Sequence, residues 1–371
     1  MSTTTRVAVL GGGILGVSTA VHLLRRGVRV TLVTESDLAS EASGRSLSWL
    51  NSAGQRSTPY HDLRMTGIER YRTLQAELPD VEWLRFDGGL HWAAPGQAAL
   101  TTARSAAEQA HGYPSELLEP ADIPARAPGI DPAAVPENAV LNRGEGWVSL
   151  PHLIDHLMVE FEKLGGEAVL HAGRSAVVAK DGRAVGVRTA DGRILQADAV
   201  LVACGAATPA VVAELGVHIP NDSPVSMLVI TEPVPGRTDL VLNTPRVALR
   251  PHVGGTLALD HDWYEQQITT GPDGQLTVPE EVVKQLAEEA STVLAGNPAV
   301  VPASHKIGYK PIPGDGEPVL GEIDQLPGCF VAFTHSGATL GLIIGELLAG
   351  EIATGEPSPP LATFRPGRFA R

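Results

Sequence analysis

The chain of 371 residues lacks a long apolar run, a cluster of basic residues and a cysteine framework. No apolar stretch reaches about 18 residues without a charge or a glycine, so the sequence predicts no membrane span. Lys and Arg total 28 against 42 Asp and Glu, which gives a net charge of −14. Nucleic acid and acidic membrane surfaces are bound through clustered Lys and Arg, so neither is expected as a partner.

Cysteine is scarce, and the two that occur, Cys204 and Cys329, lie in apolar, strand-like surroundings. Their spacing matches neither a disulfide framework nor a set of metal ligands, so we expect buried free thiols and no metal site. A basic leader is also lacking at the N-terminus, which makes the cytoplasm the expected location. Hydrophobic residues at 43% and charged residues at 19% are typical of a soluble globular protein long enough for two domains.

Glycine is abundant, and within the first 37 residues several glycines lie in a turn between a predicted strand and a predicted helix. An apolar strand over residues 7–10 leads into the turn GGGILG, an amphipathic helix over residues 14–26 and a second strand over residues 28–33. The turn contains the spacing G-x-G-x-x-G inside one βαβ unit, which is typical of a dinucleotide site.

Each glycine of this motif has a physical role. Gly11 allows the tight turn, Gly13 lets the backbone approach a pyrophosphate, and Gly16 lets the helix pack closely on the strand. The anion would lie on the free N–H groups at the start of the helix, at Ile14 and Leu15, where the helix dipole favours negative charge.

An acidic residue normally follows at the end of the second strand and binds the ribose. The count reaches Thr34, with Glu35 and Ser36 directly after it. We favour Glu35 and leave Thr34 open as the weaker contact. A basic residue for a 2′-phosphate is missing at both places, which argues against NADP.

Two later segments offer further anion contacts. The Ser- and Gly-rich passage after Asp37 supplies hydroxyls, bare backbone and a charge suited to a diphosphate, at Ser43, Gly44, Arg45 and Ser46. Near the C-terminus, a predicted strand over residues 329–333 leads through His335 and Gly337 into an apolar helix over residues 340–352, a second helix start that favours an anion. Two such sites indicate one extended cofactor, FAD, because NAD needs only one.

The middle of the chain is predicted mainly as strands. We expect a strand pair over residues 83–93 that turns at residues 87–89, and a Pro-rich connection that runs to residue 142. Residues 199–203 are predicted as a buried parallel strand that meets the ligand at its carboxyl end, at Gly205.

Five blocks of the sequence together resemble the FAD-dependent D-amino acid oxidase superfamily, which includes glycine oxidase and monomeric sarcosine oxidase. They are GGGILGVSTAVHLLRRGVRVTLV, SEASGRS, ADAVLVACGAAT, GYKPIPGDGEPVLG and THSGATLGLIIGELLAGEI. The resemblance implies an α/β fold with a Rossmann-like FAD-binding domain (residues 1–80, 145–215 and 305–371). This domain would be interleaved with a mixed-sheet α+β substrate domain (residues 81–144 and 216–304).

The resemblance also implies a chemistry and a cofactor site. A hydride would pass from the carbon beside an amine nitrogen of a small amine or amino acid to flavin N5, giving an imine, and O2 would reoxidise the flavin to give hydrogen peroxide. FAD would be noncovalent, because Gly308 lies near the place of the family's flavin-binding cysteine. Residues 43–46 would line the diphosphate and flavin, and Ala176 and Gly205 would contact the cofactor. The pyrimidine end would face Gly337, Ala338, Thr339 and Leu340.

The substrate side departs from the family pattern. Lys310 stands where amino acid oxidases carry an Arg for the substrate carboxylate, and the strand VALRP has no tyrosine at the matching place. Leu257 stands at the place of the oxygen-activating lysine of sarcosine oxidase. The catalytic candidates are therefore Lys310, His261, which lies near a family active-site histidine, and Arg250. A flavin-dependent dehydrogenase with another electron acceptor, an NAD-dependent reductase and an inactive cofactor-binding protein stay open as alternatives.

Overall fold

The computed structural model describes residues 5–370. In chain order its helices are Ile14–Arg25 (α1), Thr58–Glu77 (α2), Ala98–Ala110 (α3), Ile123–Arg126 (α4), Leu150–Lys163 (α5), Thr208–Ala213 (α6), Glu280–Val293 (α7) and Gly337–Thr354 (α8).

The strands of the described part are, in chain order, Arg6–Leu10 (β1), Arg29–Val33 (β2), Trp49–Leu50 (β3), Leu84–Arg85 (β4), Gly89–His91 (β5), Ser115–Leu118 (β6), Ala139–Asn142 (β7), Gly146–Val148 (β8), Glu167–Val169 (β9), Ala176–Lys180 (β10), Arg183–Arg188 (β11), Ile194–Gln196 (β12), Ala199–Val202 (β13), Val225–Thr231 (β14), Val241–Asn243 (β15), Ala248–Pro251 (β16), Leu257–Asp260 (β17), Thr269–Thr270 (β18), Leu276–Thr277 (β19), Pro302–Tyr309 (β20), Val319–Glu322 (β21) and Cys329–Phe333 (β22).

One layer is a six-stranded sheet in the order β21-β22-β13-β1-β2-β9. All neighbours in it are parallel except β21, which pairs with β22 antiparallel at the edge. Its inner strands are apolar on both faces because α1 and α8 cover one face and the three-stranded sheet β10-β11-β12 covers the other. This is the Rossmann-like sheet that the glycine motif predicts.

A second layer is an eight-stranded mixed sheet in the order β20-β14-β17-β16-β15-β5-β7-β6. Helix α7 and the apolar side chains of one face form a separate core. The other face carries small residues on neighbouring strands, Ser226, Ala248, Ala258 and Gly308. At Gly308 it meets the loop after β2, because the side chain of Arg45 fills the space beside this glycine.

Strands of the two large sheets alternate along the chain, in keeping with the expected interleaving. The exact division into domains stays a prediction, and strand β20 of the eight-stranded sheet spans the expected boundary at residue 305.

The predicted strand pair over residues 83–93 is wrong. Strands β4 and β5 form there but do not pair with each other, since β4 pairs with β8 whereas β5 pairs with β7 and β15. The Pro-rich connection to residue 142 also contains two strands, β6 and β7, which complete the eight-stranded sheet. Of the two free thiols, Cys329 is buried and Cys204 is only half-buried.

Helix α8 is long and apolar enough to cross a membrane by composition alone, but much of it is buried inside the protein. It packs on α1 and α2, which makes it the core helix expected from its apolar character on every side. The cytoplasmic location stays a prediction.

The contact between α1 and α8 depends on Gly345. A Cβ at this position would collide with Ser18 of α1, whereas a Cβ at Gly350 of the same helix would find its nearest atom, on Arg26, at 3.8 Å. We expect Gly345→Ala to lower the free energy of unfolding by about 1–3 kcal/mol, as overpacking does. Gly350→Ala should raise it by up to about 1 kcal/mol through helix propensity. Urea unfolding of both variants tests this, and equal shifts would contradict it.

Candidate cofactor and substrate site

The turn between β1 and α1 brings backbone segments into close contact. Gly11 donates to the carbonyl of Val33 at 2.9 Å and has φ of +116°, in the left-handed region that favours glycine. A Cβ on Gly11 would collide with the carbonyl oxygen of Ala203, and a Cβ on Gly16 would collide with the carbonyl oxygen of Gly11. These two glycines are therefore required by the protein's own packing.

Gly13 is different, because the fold itself does not require it. Its φ is −84°, and a Cβ would find only the hydroxyl of Ser43, at 3.2 Å. The same hydroxyl accepts a hydrogen bond of 3.0 Å from the amide of Ile14, the first residue of α1, and Leu15 follows in the same buried turn. The start of α1 thus already attracts an acceptor oxygen, as a phosphate site does.

The rest of the loop after β2 is anchored to the second layer. Gly44 packs against the carbonyl of Ala39, and the Ser46 hydroxyl accepts from the Ser48 amide at 3.0 Å. Arg45 donates to the carbonyl of Ile307 in β20 at 2.7 Å and pairs with Glu41 at 3.0 Å. Its guanidinium therefore ties the two layers together in this structure, and its expected contact with a diphosphate stays a prediction.

The ribose candidates lie at the carboxyl end of β2. Thr34 is buried, and its hydroxyl donates to the carbonyl of Ser36. Glu35 is exposed, and its charge adds to burial in raising the pKa of the Cys204 thiol to about 12. Glu35 is thus near the carboxyl end of β13, at the sheet edge where a dinucleotide binds. This geometry favours Glu35 over Thr34, whose hydroxyl is already engaged.

Two further candidates lie at strand ends. Gly205, with φ of +55°, follows β13 and begins a short 3₁₀ turn, and a Cβ there would meet no neighbour. Ala176 begins β10 and pairs with Arg188 of β11. Their contacts with a cofactor stay predictions.

The second helix start lies at the same edge as the first. Strands β1 and β22 run in the same direction in one sheet, so α1 and α8, which follow them, both begin at the carboxyl edge. A Cβ on Gly337 would lie 4.0 Å from Ile14, which shows how close the two helix starts are. The first bonded amide of α8 is that of Leu340, which donates to the carbonyl of Ser336 at 2.9 Å. The amides before it are available to a ligand.

The first turn of α8 is fixed by contacts outside the helix. The hydroxyl of Thr339 donates to the carbonyl of Trp49 at 3.1 Å, and the carbonyl of Ala338 accepts from Tyr71 at 2.6 Å. These bonds hold the open amides in one orientation relative to the loop after β2, which is the preorganisation that a rigid ligand requires.

His335 precedes α8 in a strongly positive environment. Its pKa falls to about 4, because protein around the ring desolvates it and because Arg64, Lys310 and Arg56 lie near it. The residue is nevertheless solvent-accessible. At neutral pH the imidazole is uncharged.

A family model described as FAD dependent oxidoreductase matches residues 6–351. The chain is an FAD-dependent oxidoreductase of this family. Glycine oxidase of Pseudomonas aeruginosa is 26% identical over 97% of the chain and 98% of its own length. The fold is shared with glycine oxidase of Geobacillus kaustophilus, at a TM-score of 0.82 and 22% identity. The match covers 99% of this chain and 100% of that glycine oxidase. The fold is also shared with L-amino acid deaminase of Proteus myxofaciens. The TM-score is 0.83 and the identity 19%, and the match covers 100% of this chain and 95% of the deaminase.

The oxidoreductase has the features that an extended dinucleotide needs. The glycine turn is open to a ligand only at Gly13, beside the start of α1, and a second helix start faces the same edge. Two anion-binding turns on one sheet edge fit a cofactor that carries a diphosphate and a distant ring system, as FAD does.

Lys310, the first catalytic candidate, is held between two carboxylates of the enzyme. Its ammonium lies 3.7 Å from Asp260 and 3.7 Å from Glu265. Asp260 also accepts from the hydroxyls of Ser226 at 3.0 Å and Tyr264 at 2.6 Å, so the carboxylate is fixed on the sheet face. The charge of Lys310 is thus compensated by the protein.

His261 and Arg250 are both engaged in structural contacts. His261 Nε2 lies 3.2 Å from the carbonyl of Thr244, and its Nδ1 lies 2.8 Å from Asp262. Arg250 is buried, donates to the carbonyl of Leu47, and stacks 4.7 Å above the ring of Trp147. Burial lowers its pKa to about 9. Arg250 therefore faces the loop after β2, and its role toward a substrate stays a prediction.

The network around Arg64 was not found by sequence reasoning. Arg64, which is 3% exposed, donates to the carbonyl of Asn51 at 2.8 Å, to its side-chain oxygen at 3.0 Å and to the hydroxyl of Ser336. Tyr60 Oη lies 2.5 Å from the same hydroxyl. Tyr60 and Arg64 are four residues apart on α2, a spacing typical of any helix face, so the sequence carries no signal for their role.

Proposed function

We propose that this oxidoreductase oxidises a C–N bond of a small amine or amino acid to an imine, with O2 as the electron acceptor. The observation that carries the proposal is that helices α1 and α8 both start at one edge of the sheet. Gly13, in the turn before α1, leaves space beside its backbone for a ligand. The relatives named glycine oxidase and L-amino acid deaminase support the substrate class.

The residues around the two helix starts have separate tasks in this proposal. Gly13, the amides of Ile14 and Leu15, and the Ser43 hydroxyl hold the diphosphate, and Glu35 binds the ribose. The amides of residues 337–339 at the start of α8 hold the pyrimidine end. FAD is held noncovalently. Gly308 stands near the place of the family's flavin-binding cysteine, and the Arg45 side chain fills the space beside it.

Bound FAD supplies a hydride acceptor, which no side chain provides. The chain's contribution is orientation and electrostatics. The open amides of α8 and the positive groups near His335 favour negative charge at that end of the site. Because His335 is uncharged at neutral pH, it can accept a hydrogen bond without adding to that positive field. An amine that binds in its neutral form needs no strong base.

The first test is the state of the purified protein. We expect a yellow protein with close to one FAD per chain, released by acid or heat because it is noncovalent. Anaerobic addition of a panel of amines and amino acids should bleach the flavin absorbance with at least one member. A colourless protein that binds NAD instead would support the reductase alternative, and a flavin that no member bleaches would support a binding protein without activity.

The acceptor needs its own comparison, because Leu257 replaces the family's oxygen-activating lysine. Turnover under air should match turnover with an artificial acceptor under nitrogen, and hydrogen peroxide should form in proportion to the imine product. Slow reoxidation under air with fast turnover on the artificial acceptor would assign the enzyme to the dehydrogenases.

A further inference from the structure

Two guanidinium groups stack around one tyrosine at the start of α2. The central guanidinium carbons of Arg56 and Arg64 each lie 5.5 Å from the centroid of the Tyr60 ring. The Tyr60 hydroxyl and Arg64 both reach Ser336, directly before α8. The stack therefore adjoins the start of α8, which is proposed to hold the pyrimidine end of FAD.

Neither guanidinium has a counter-charge in the described part of the chain. Arg64 is buried and bonded only to neutral groups, and the Nε of Arg56 is buried without any hydrogen-bond partner. Burial and the neighbouring charge of Arg64 lower the pKa of Arg56 to about 10. Buried charges in proteins are normally paired, because an unpaired one is costly to desolvate.

Nearby acids are committed elsewhere. Glu108 binds Arg104 at 2.9 Å and the Gly54 amide at 2.8 Å. Burial raises the pKa of Glu145 to about 8, so it is mostly protonated at neutral pH. Glu317 accepts from the Ser57 hydroxyl at 2.9 Å and forms no ion pair with Arg56 or Arg64 among the described residues. The positive charge on the stack thus remains for a ligand.

The charges of the stack and of Lys310 act on the same residue. The charges of Arg64, Lys310 and Arg56 all act on His335, in that order of strength. Lys310, at the family's carboxylate-binding place, is already matched by Asp260 and Glu265. Of the cations near His335, only the two arginines lack a carboxylate partner.

We propose that Arg56, held against Tyr60 and backed by Arg64, binds the carboxylate of an anionic substrate in place of the arginine that the chain lacks at position 310. The inference rests on the proposed function, because it takes the region around His335 and the start of α8 as the substrate site. Arg56 is the contact residue since it is only partly buried and has free donors, whereas Arg64 is enclosed and already bonded. The substrate then carries a carboxylate as well as the amine.

The test compares anions with their uncharged amides. Binding of benzoate and benzamide, and of propionate and propionamide, is measured by calorimetry and thermal shift on the full-length protein as purified. Wild type should prefer each anion to its amide. Arg56→Gln should weaken anion binding by about 10- to 100-fold, the usual value of a charge-assisted bond, and leave amide binding unchanged. Its melting temperature should stay equal or rise, because an unpaired charge is removed.

Two further variants make the result decisive. Arg246→Gln removes a guanidinium that lies outside the stack, is paired with Glu289 at 2.9 Å and stacks on Trp263, and this variant should change nothing. Lys310→Met should weaken anion binding much less than Arg56→Gln. The proposal is overturned if wild type does not prefer the anions, or if Lys310→Met shows the larger loss. FAD content is assayed separately, so a protein without flavin contradicts the proposed function while the anion comparison still decides this inference.

Discussion

Gly13→Ala is expected to give a protein that folds like the parent but binds FAD roughly 100-fold more weakly, a loss of about 2.7 kcal/mol. The added methyl group meets only a rotatable hydroxyl, that of Ser43, at 3.2 Å, and the backbone of Gly13 has an ordinary negative φ. The fold therefore tolerates alanine. A pyrophosphate that approaches the Gly13 backbone does not, because the methyl group lies in its path.

The matched comparison is Gly11→Ala. Its methyl group would collide with the Ala203 carbonyl, and its φ of +116° strains any other residue, so both stability and FAD retention should fall. The measurements are the FAD content after purification, the FAD dissociation constant after reconstitution, and the urea midpoint of the apoprotein. If Gly13→Ala retains FAD as tightly as wild type, the diphosphate does not lie on this turn.

The first βαβ unit was predictable because its signals are local. The strand over residues 7–10, the helix from Ile14 and the glycine spacing all appear as predicted, with helix and strand ends moved by one residue. Each glycine that the motif assigns to packing, Gly11 and Gly16, contacts backbone in the structure, and the one assigned to the ligand, Gly13, does not. The motif therefore identifies the two structural glycines correctly, and the role of Gly13 toward a ligand stays a prediction.

Pairing between distant strands was not predictable in the same way. Residues 83–93 have the composition of a hairpin, yet β4 and β5 belong to different sheets because they pair with β8 and β7, which lie much further along the chain. Turn residues indicate where the chain reverses direction locally. Which strands pair with each other depends on contacts between distant parts of the chain, which a short stretch of sequence does not contain.

The contacts of the substrate-side residues were not predictable for a related reason. Lys310 was predicted as a cavity cation from its position alone, and the structure adds Asp260 and Glu265, which come from another strand and the turn after it. Arg64 and Arg56 were not singled out, because an arginine on a helix face usually lies in solvent. What distinguishes them from a surface arginine is that a guanidinium nitrogen is buried without a counter-charge, a property of the folded chain and not of its sequence.

Glu145 is a buried acid that binds Trp49 of β3. Its carboxylate accepts from Tyr113 at 2.8 Å and from the indole of Trp49 at 2.8 Å, and Trp49 is the residue whose carbonyl fixes Thr339 of α8. Burial, the largest cause, raises the pKa of Glu145 to about 8 in spite of these hydrogen bonds. Ionisation of this one group therefore acts on the strand that positions the start of α8.

Glu145→Gln should make the protein more stable than wild type at pH 9 and nearly equal to it at pH 5. Between the unfolded pKa, 4.5, and about 8, folded wild type holds a proton that the unfolded chain has lost, so its stability falls as pH rises. At full ionisation the cost is on the order of 5 kcal/mol, which the glutamine variant does not incur. Melting temperatures from pH 5 to 9 measure the difference, with Glu356→Gln, an exposed acid, as the control for lost charge. If the difference in melting temperature between Glu145→Gln and wild type stays constant over this pH range, Glu145 is ionised throughout. The hydrogen bonds from Trp49 and Tyr113 would then outweigh the cost of burying the charge.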